Sequence, residues 1–583
     1  MYSNIRSIQI LVSLLKQNDI KEIVISPGGS DIPLIHSIEK DPFFNCYSVV
    51  DERSAAYFAL GVSLQKQCVV ACICTSGTAV CNYLPGITEA WYQSRPVLAI
   101  TCDKNPYYQN QLETQKIEQT KVFDGVVKKS VSLPVIKDEE DEWLCNRLIN
   151  EALLELDHHG SGPCHINVPI TQRYDIYDCE KLPTERKIDL ISFSKIDFNS
   201  IHENLVGYKR IMVVVGQNVN FDKKMISNFE KFFNRYKCFF SIETLSNINC
   251  EGCINTYPLT ETRLSSNLLP DLVISIGNNL AAYGLKPFLR NGYKSICNWL
   301  ISENGNVRDA YKCLTRIYEC SVAEFFDGLM SLEKNDKNDM LYYNLWKSQI
   351  DKFILPEFEF SNLYVAKGLS QIVPENSVLH TAILNSTRVM QFFNLNNNVM
   401  AYSNVGALGI DGCLSTFAGQ AASTNELAYL LIGDLSFFYD MNAAGLRNIS
   451  KNVRIILINN GGGGEFHFFV GKEKIPEIND YISAKHSKIA AGWVVSLGYD
   501  YYFATCKEEF DNAIEKFSHE SDKPMFLEVF TDMEFEANNT NKFYNQNRNQ
   551  VGNPVVNSLS KLFSSKQKER IKKILSFLKG FKK

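Results

Sequence analysis

The sequence predicts an α/β protein made of three successive domains with parallel sheets. Short β-branched runs alternate with longer amphipathic segments, the rhythm expected of parallel βαβ units. Twice that rhythm breaks at a polar or charged stretch and then restarts. The length of 583 residues is also several times a usual domain of about 100 to 200 residues.

The first domain, residues 1–182, carries the strand-like runs EIVIS, CVVACICT, RPVLAIT and CHINVP. Its opening, MYSNIRSIQILVSLLKQNDI, includes Arg6 and Lys16 and leads straight into a strand, so it is read as a first helix rather than a signal peptide. KLPTERKID marks the first boundary. The second domain, residues 190–340, contains RIMVVVG, CFFSIE and DLVISIG and ends in the polar KNDKND. The third, residues 355–536, contains SVLHTA, AYLLIGD, VRIILINN and PMFLEVF. Residues 537–557 are Asn-rich and read as a polar linker with little to bury. Residues 558–583 set nine Lys and Arg against Glu569, with apolar residues at largely helical spacing. That pattern predicts a basic amphipathic helix suited to an anionic membrane surface or an acidic partner groove.

Composition narrows the partners. A hydrophobic fraction of 45%, a charged fraction of 21% and a net charge of −5 are ordinary for a globular enzyme and give no reason to expect nucleic-acid binding. Small molecules are the expected partners. The 17 Cys are scattered, and Cys68, Cys72 and Cys74 share one strand-like run, as buried thiols of a reducing compartment would. A cytoplasmic location follows as the expectation, with peripheral contact at the inner membrane face through the basic helix. Cys250 and Cys253 form a lone CxxC without the second pair or His partners a zinc site needs.

Chemistry concentrates in three places. IGDLSFFYDMNAAGL…VRIILINNGGGG puts Asp434 and Asn460 after two strand-like runs, at the carboxyl edge where open α/β sheets bind ligands. Their oxygens, with a backbone carbonyl, suit octahedral Mg²⁺; an Asp helix cap and an Asn turn would look the same. SVVDERSAAYFALG puts Glu52 at the start of a small-residue helix, where a Glu also favours the positive end of the helix dipole. SNVGALGIDGCLSTFAG sets Gly406, Gly409 and Gly412 around Ile410 before another small-residue helix, a backbone suited to close ligand approach.

Together these motifs resemble thiamine-diphosphate (ThDP) enzymes, and among them the SEPHCHC synthase (MenD) family of menaquinone biosynthesis. ISPGGSDIPL, TSGTAVCNYLPGITEAWYQSRPVLAIT, QKIEQTKVF and INNGGGGEF add to the likeness, which covers about residues 5–535. The resemblance implies pyrimidine-binding, central and diphosphate-binding domains in that order. It also implies ThDP and Mg²⁺ as cofactors, and a homodimer or homotetramer with the active site between the N-terminal domain of one subunit and the C-terminal domain of another. Glu52 matches the glutamate that hydrogen-bonds the aminopyrimidine N1′ and so activates the thiazolium C2. Ile410, beside Gly409, matches the apolar residue that holds the cofactor bent. Asp434, Asn460 and the Gly462 carbonyl match the Mg²⁺ ligands, with Leu435 and Ser436 alongside the diphosphate.

The substrate side departs from the family. Ser30 follows Gly29 where the family has an arginine, Lys104 stands for a second, Met390 for a third in NSTRVM, and Val405 for a fourth in SNVG. Ser386 and Arg388 lie close to the third, while Gln115 and Lys286 match retained positions. Glu465, Phe466 and His467 follow the four glycines, with Glu465 where the family is apolar. Losing a guanidinium fork removes bidentate carboxylate recognition, which Lys does not replace.

The expected reaction is decarboxylation of a 2-oxo acid donor with transfer of the carbanion to an acceptor the sequence does not name. It is read as MenD-like with altered specificity. Two alternatives stand beside it: an authentic SEPHCHC synthase using 2-oxoglutarate and isochorismate, and a non-catalytic scaffold that keeps the fold.

Overall fold

The runs richest in Val, Ile and Leu become the middle strands of three sheets. The computed structural model describes residues 1–171, 176–188, 196–218, 221–262, 264–334, 336–471 and 473–550. Among them the first sheet takes β1 (Glu22–Ile25), β2 (Asn45–Ser48), β3 (Val70–Cys74), β4 (Val97–Asp103), β5 (Lys129–Ser132) and β6 (Cys164–Pro169), in the order β2-β1-β3-β4-β6-β5. The second takes β7 (Ile211–Val215), β8 (Cys238–Ile242), β9 (Cys253–Asn255), β10 (Leu272–Ile276), β11 (Cys297–Ile301) and β12 (Leu314–Tyr318), in the order β12-β11-β10-β7-β8-β9. The third takes β13 (Val378–Thr381), β14 (Met400–Tyr402), β15 (Ala428–Gly433), β16 (Val453–Asn459), β17 (Asp500–Ala504) and β18 (Met525–Phe530), in the order β14-β13-β15-β16-β18-β17. The strand pairings within the three sheets are parallel, the α/β architecture the sequence predicts.

Each sheet has a switch point in its strand order, at β1/β3, β7/β10 and β13/β15. Loops diverge at such a point and leave a crevice beyond the carboxyl ends of the strands. Ser26–Asp31 leaves β1 and Thr75–Gly77 leaves β3; Asp434 leaves β15, and Asn460 leaves the neighbouring β16.

Small residues lock the first domain onto the third. Helix Glu52–Lys66 crosses helix Cys413–Ala422 so closely that a Cβ on Gly61 would lie 2.0 Å from the Thr416 carbonyl, and one on Gly419 would lie 2.2 Å from that of Phe58. Any larger residue at either position would force the backbones apart. One core therefore runs from Tyr57, Phe58 and Leu60 into Leu414, Phe417 and Phe437. A second joins Met212 and Phe239 of the central domain to Leu363, Phe392 and Tyr544.

The polar linker expected over 537–557 is corrected as far as residue 550. Helix Met533–Gln550 occupies this stretch, and residues 551–557 lie outside the described ones. Ala537, Thr540, Phe543, Tyr544 and Asn547 fall at helical spacing and are buried. Phe543 packs edge-on to Phe353, Phe358 and Phe392, and the Asn547 side chain bridges the backbone N–H and carbonyl of Ile354. Tertiary packing outweighs the poor helix propensity of the asparagines. The basic stretch 558–583 lies outside the described residues. Among the described residues no helix is long and apolar enough to cross a membrane.

Candidate active site

Asp434 is the first residue of a short helix that begins where β15 ends, and it is 2% exposed. Its Oδ2 accepts the N–H groups of Gly461 at 2.8 Å and Gly462 at 3.1 Å, and its Oδ1 accepts that of Leu435 at 2.7 Å. Burial lifts the carboxyl above the usual aspartate range; His486, with Nε2 3.3 Å from Oδ2, and the three N–H donors pull the other way. Gly461 and Gly462 have φ of +83° and +154°, and a Cβ on Gly462 would lie 2.7 Å from the Ser483 carbonyl. Here the glycines are a geometric requirement.

Asn460 donates from Nδ2 to Glu536 Oε2 at 2.7 Å. Its Oδ1 is thereby turned toward the Gly462 N–H, at 3.3 Å. The cradle presents the Asp434 carboxylate, the Asn460 amide oxygen and the Gly462 carbonyl. That carbonyl accepts the Gly464 N–H at 3.0 Å and keeps a second lone pair. His486 Nε2 is buried beside them without a hydrogen bond. An all-oxygen donor set with few protein ligands fits Mg²⁺ carrying a diphosphate.

Ser436 ties this cradle to the glycine loop, its hydroxyl donating to the Ile410 carbonyl at 2.8 Å. Ile410 rests against the core shared by the first and third domains. Gly412 begins the helix Cys413–Ala422, and a Cβ there would lie 2.2 Å from the Tyr57 ring. Gly409 sits against Asp411, which accepts the Tyr57 hydroxyl at 3.2 Å.

Glu52 is the first residue of helix Glu52–Lys66, which Asp51 caps by accepting the Arg53 and Ser54 N–H groups. It is half-buried in the first domain, and its charge is felt by Asp31, Cys74 and Tyr83. Burial first, then Glu52, pushes the Asp31 carboxyl up to about 7 against the Gly28 N–H. Next to Glu52, Arg53 instead reaches the third domain, donating to the Tyr439 carbonyl at 3.2 Å.

The substrate-side residues fall into two groups. Ser30 and Gly29 lie on the β1 loop, where the Ser30 N–H donates to Thr75 Oγ1 at 3.1 Å. Lys104 pairs with Glu113 at 3.1 Å, and Gln115 is exposed with φ of +57°. Lys286, Arg388 and Val405, by contrast, line one cavity of about 460 Å³ together with Tyr283, Arg290 and Leu408. Burial pulls the Lys286 amine below its ordinary value, with Glu243 opposing. Ser386 is buried beside Thr387 on the short helix Asn385–Met390. Met390 is 1% exposed and packs in the core with Tyr257 and Phe392.

Arg388 is closed off. Its Nη1 and Nη2 reach Glu465 Oε2 and Oε1 at 2.5 and 2.6 Å, and Phe468, Phe469 and Tyr283 surround the guanidinium. Burial acts to lower its pKa, but the carboxylate outweighs it and the group is held above its usual value. His467 hydrogen-bonds Asn479 at 2.7 Å as a packed imidazole, and Phe466 is 42% exposed.

Sequence reading missed Glu536, His486 and Glu89. Glu536 lay at the edge of the presumed linker, and His486 has no motif around it. Glu89 looked like any helical glutamate.

Comparison with known proteins agrees with this geometry. Residues 6–122 match the family "Thiamine pyrophosphate enzyme, N-terminal TPP binding domain". The chain is 36% identical over 561 residues to the 2-succinyl-5-enolpyruvyl-6-hydroxy-3-cyclohexene-1-carboxylate synthase of Phocaeicola vulgatus, covering 94% of this chain and 100% of that protein. It belongs to the SEPHCHC synthase family. The synthase of the same name from Bacteroides thetaiotaomicron is 35% identical, with 94% of this chain and 99% of the relative covered. That of Desulfotalea psychrophila is 31% identical, covering 88% and 96%. As a member of the SEPHCHC synthase family the chain is a ThDP-dependent enzyme that decarboxylates its donor and transfers the fragment to form a carbon–carbon bond, using a divalent metal.

Proposed function

We propose that this enzyme is a carboligase of altered specificity, joining the decarboxylated fragment of a 2-oxo acid to an acceptor other than isochorismate. The observation that carries the reading is the Arg388–Glu465 pair. Three of the four family arginine positions hold Ser30, Met390 and Val405, the fourth holds Lys104 engaged with Glu113, and the nearest remaining fork is filled by the chain's own carboxylate. With Nη1 also donating to Asn385 and the guanidinium buried, both terminal nitrogens are engaged within the chain.

When bound, ThDP supplies the electron sink that makes loss of CO₂ feasible. The chain's own residues position and protonate. Asp434, Asn460 and Gly462 would hold the metal and diphosphate. Ile410 would support the bend between the two rings, and Glu52 would hold a proton at the aminopyrimidine N1′. As the resemblance to the family implies, the working site is assigned to Glu52 of one copy and the cradle of another. The second reading, an authentic SEPHCHC synthase, is favoured by the full-length similarity to proteins of that name. An assay with 2-oxoglutarate and isochorismate separates them. The proposal expects release of CO₂ from a 2-oxo acid with little SEPHCHC formed, and efficient SEPHCHC formation refutes it.

A further inference from the structure

The loop Val405–Gly412 walls the cavity of Arg388 through Val405, Gly406 and Leu408, and carries Ile410 at its far end. Its backbone is not relaxed: Leu408, a branched residue 45% exposed, has φ of +60°. A left-handed leucine persists only where the surroundings over-determine it. The two residues before it are held from the first domain.

Glu89, on helix Thr78–Tyr92 of the first domain, is 0% exposed. Its Oε1 accepts the Gly406 N–H at 2.9 Å and the Gln93 amide at 2.7 Å, and its Oε2 accepts the Ala407 N–H at 2.7 Å. The approach is close enough that a Cβ on Gly406 would lie 2.9 Å from Glu89 Oε1 and 3.0 Å from the Tyr92 Cβ. The central domain joins at the same spot. Gln217 donates to Gln93 at 2.8 Å, Asn278 donates to the Gln93 carbonyl at 3.2 Å, and Asn279 donates to the Val405 carbonyl at 3.0 Å. All three domains thus meet on one turn of backbone, with a buried carboxylate at its centre. Helix packing alone does not call for a charge there: a buried carboxylate is costly unless several donors face it, and here two of the three are main-chain groups of another domain.

We propose that Glu89 is a positioning residue for the cofactor loop, holding Gly406 and Ala407 so that Ile410 and the cavity wall are set before ThDP binds. The inference rests on the assignment of Ile410 to the cofactor given above. Glu89→Gln is the test. An amide presents a donor where one of the two backbone N–H groups needs an acceptor, so one clamp bond is lost with little change of volume.

Hydrogen exchange on the full chain without cofactor reads the clamp directly. The Gly406 and Ala407 amides are expected to be protected in the unsubstituted protein and to exchange at least tenfold faster in Glu89→Gln, with the amides of helix Cys413–Ala422 unchanged. Titration with ThDP and Mg²⁺ is expected to show Kd raised about tenfold, about 1.4 kcal/mol. Glu22→Gln removes another buried carboxylate of the first domain, one facing Asn45, Tyr47 and Lys66. It is expected to alter neither readout.

Fast exchange of Gly406 and Ala407 in the unsubstituted protein overturns the proposal. So does a loosened loop that leaves Kd and turnover unchanged, or an equal effect from Glu22→Gln. Failure of the unsubstituted protein to bind ThDP overturns the cofactor assignment itself, which the exchange data do not depend on. Should Glu89→Gln fail to fold, Gly406→Ala presses on the same contact and is expected to raise Kd in the same direction.

Discussion

Replacing Glu536 by Gln should weaken metal binding without touching a ligand. Glu536 Oε1 takes two donors, Thr531 Oγ1 at 2.7 Å and the Asn362 N–H at 3.2 Å, while Oε2 takes only the Asn460 amide at 2.7 Å. A glutamine keeps its oxygen toward the two donors and turns its NH₂ toward Asn460. Asn460 then rotates its amide to offer Oδ1 to that NH₂, and its own NH₂ faces the metal cradle in place of oxygen. Loss of such an orienting partner costs about 10- to 100-fold in metal affinity, or about 1.4–2.7 kcal/mol. Side-chain volume and the Thr531 and Asn362 contacts survive, so the melting temperature should move little. The assay is turnover and ThDP binding as a function of Mg²⁺. The half-saturating concentration should rise at least tenfold, with turnover partly restored at high Mg²⁺; a value within twofold of the original refutes the argument.

Glu52→Gln should retain ThDP and Mg²⁺ binding while turnover drops about 10²- to 10⁴-fold; unchanged turnover removes Glu52 from the mechanism. Mixing inactive Glu52→Gln and Asp434→Ala chains after dissociation should restore about a quarter of the activity if sites are shared in a dimer, and no recovery places each site within one chain. Glu465→Ala frees the Arg388 fork, so KM for dicarboxylic relative to monocarboxylic 2-oxo acids should fall about tenfold, on the order of one charge-assisted pair. An unchanged ratio would show that the pair does not set specificity. Asp31 has a folded pKa of about 7 against an ordinary value of 3.8. Folded protein therefore keeps a proton that the unfolded chain loses, and stability falls as pH rises through that window, by at most ~1.4 kcal/mol per pH unit. Denaturant melts from pH 4 to 8 should show a shallower decline for Asp31→Asn, and an identical slope would disprove the shift.

Much of the fold was legible because buried parallel strands announce themselves. Runs such as VACIC in β3 and VRIILIN in β16 are buried throughout. The strands missed are mostly at the edges: β2, NCYS, is half exposed, and β17, DYYFA, buries fully only its last residue. Edge strands bury one side and lose the continuous apolar signal. β11, interrupted by Asn298, was missed although it is largely buried. Helix Met533–Gln550 was missed for another reason: its apolar stripe is sparse, and its stability comes from aromatic partners far away in sequence, Phe353, Phe358 and Phe392, a nonlocal effect that no window of sequence contains.

The site divides along the same line. Asp434, Asn460 and Gly462 were readable because each sits one to three residues beyond a strong strand, so local sequence fixes where the side chain lands. Glu536 and Glu89 were not, since each acts on a partner 76 or 317 residues away. Arg388 shows the limit most clearly. Its spacing from Ser386 suggested a substitute for the arginine missing at position 390, and the structure does bring it to the cavity wall while Met390 turns into the core. Yet its two terminal nitrogens already hold Glu465, 77 residues on. A charge's availability depends on what else the fold places against it: Arg388 reaches the cavity wall, and Glu465 is the carboxylate it meets there.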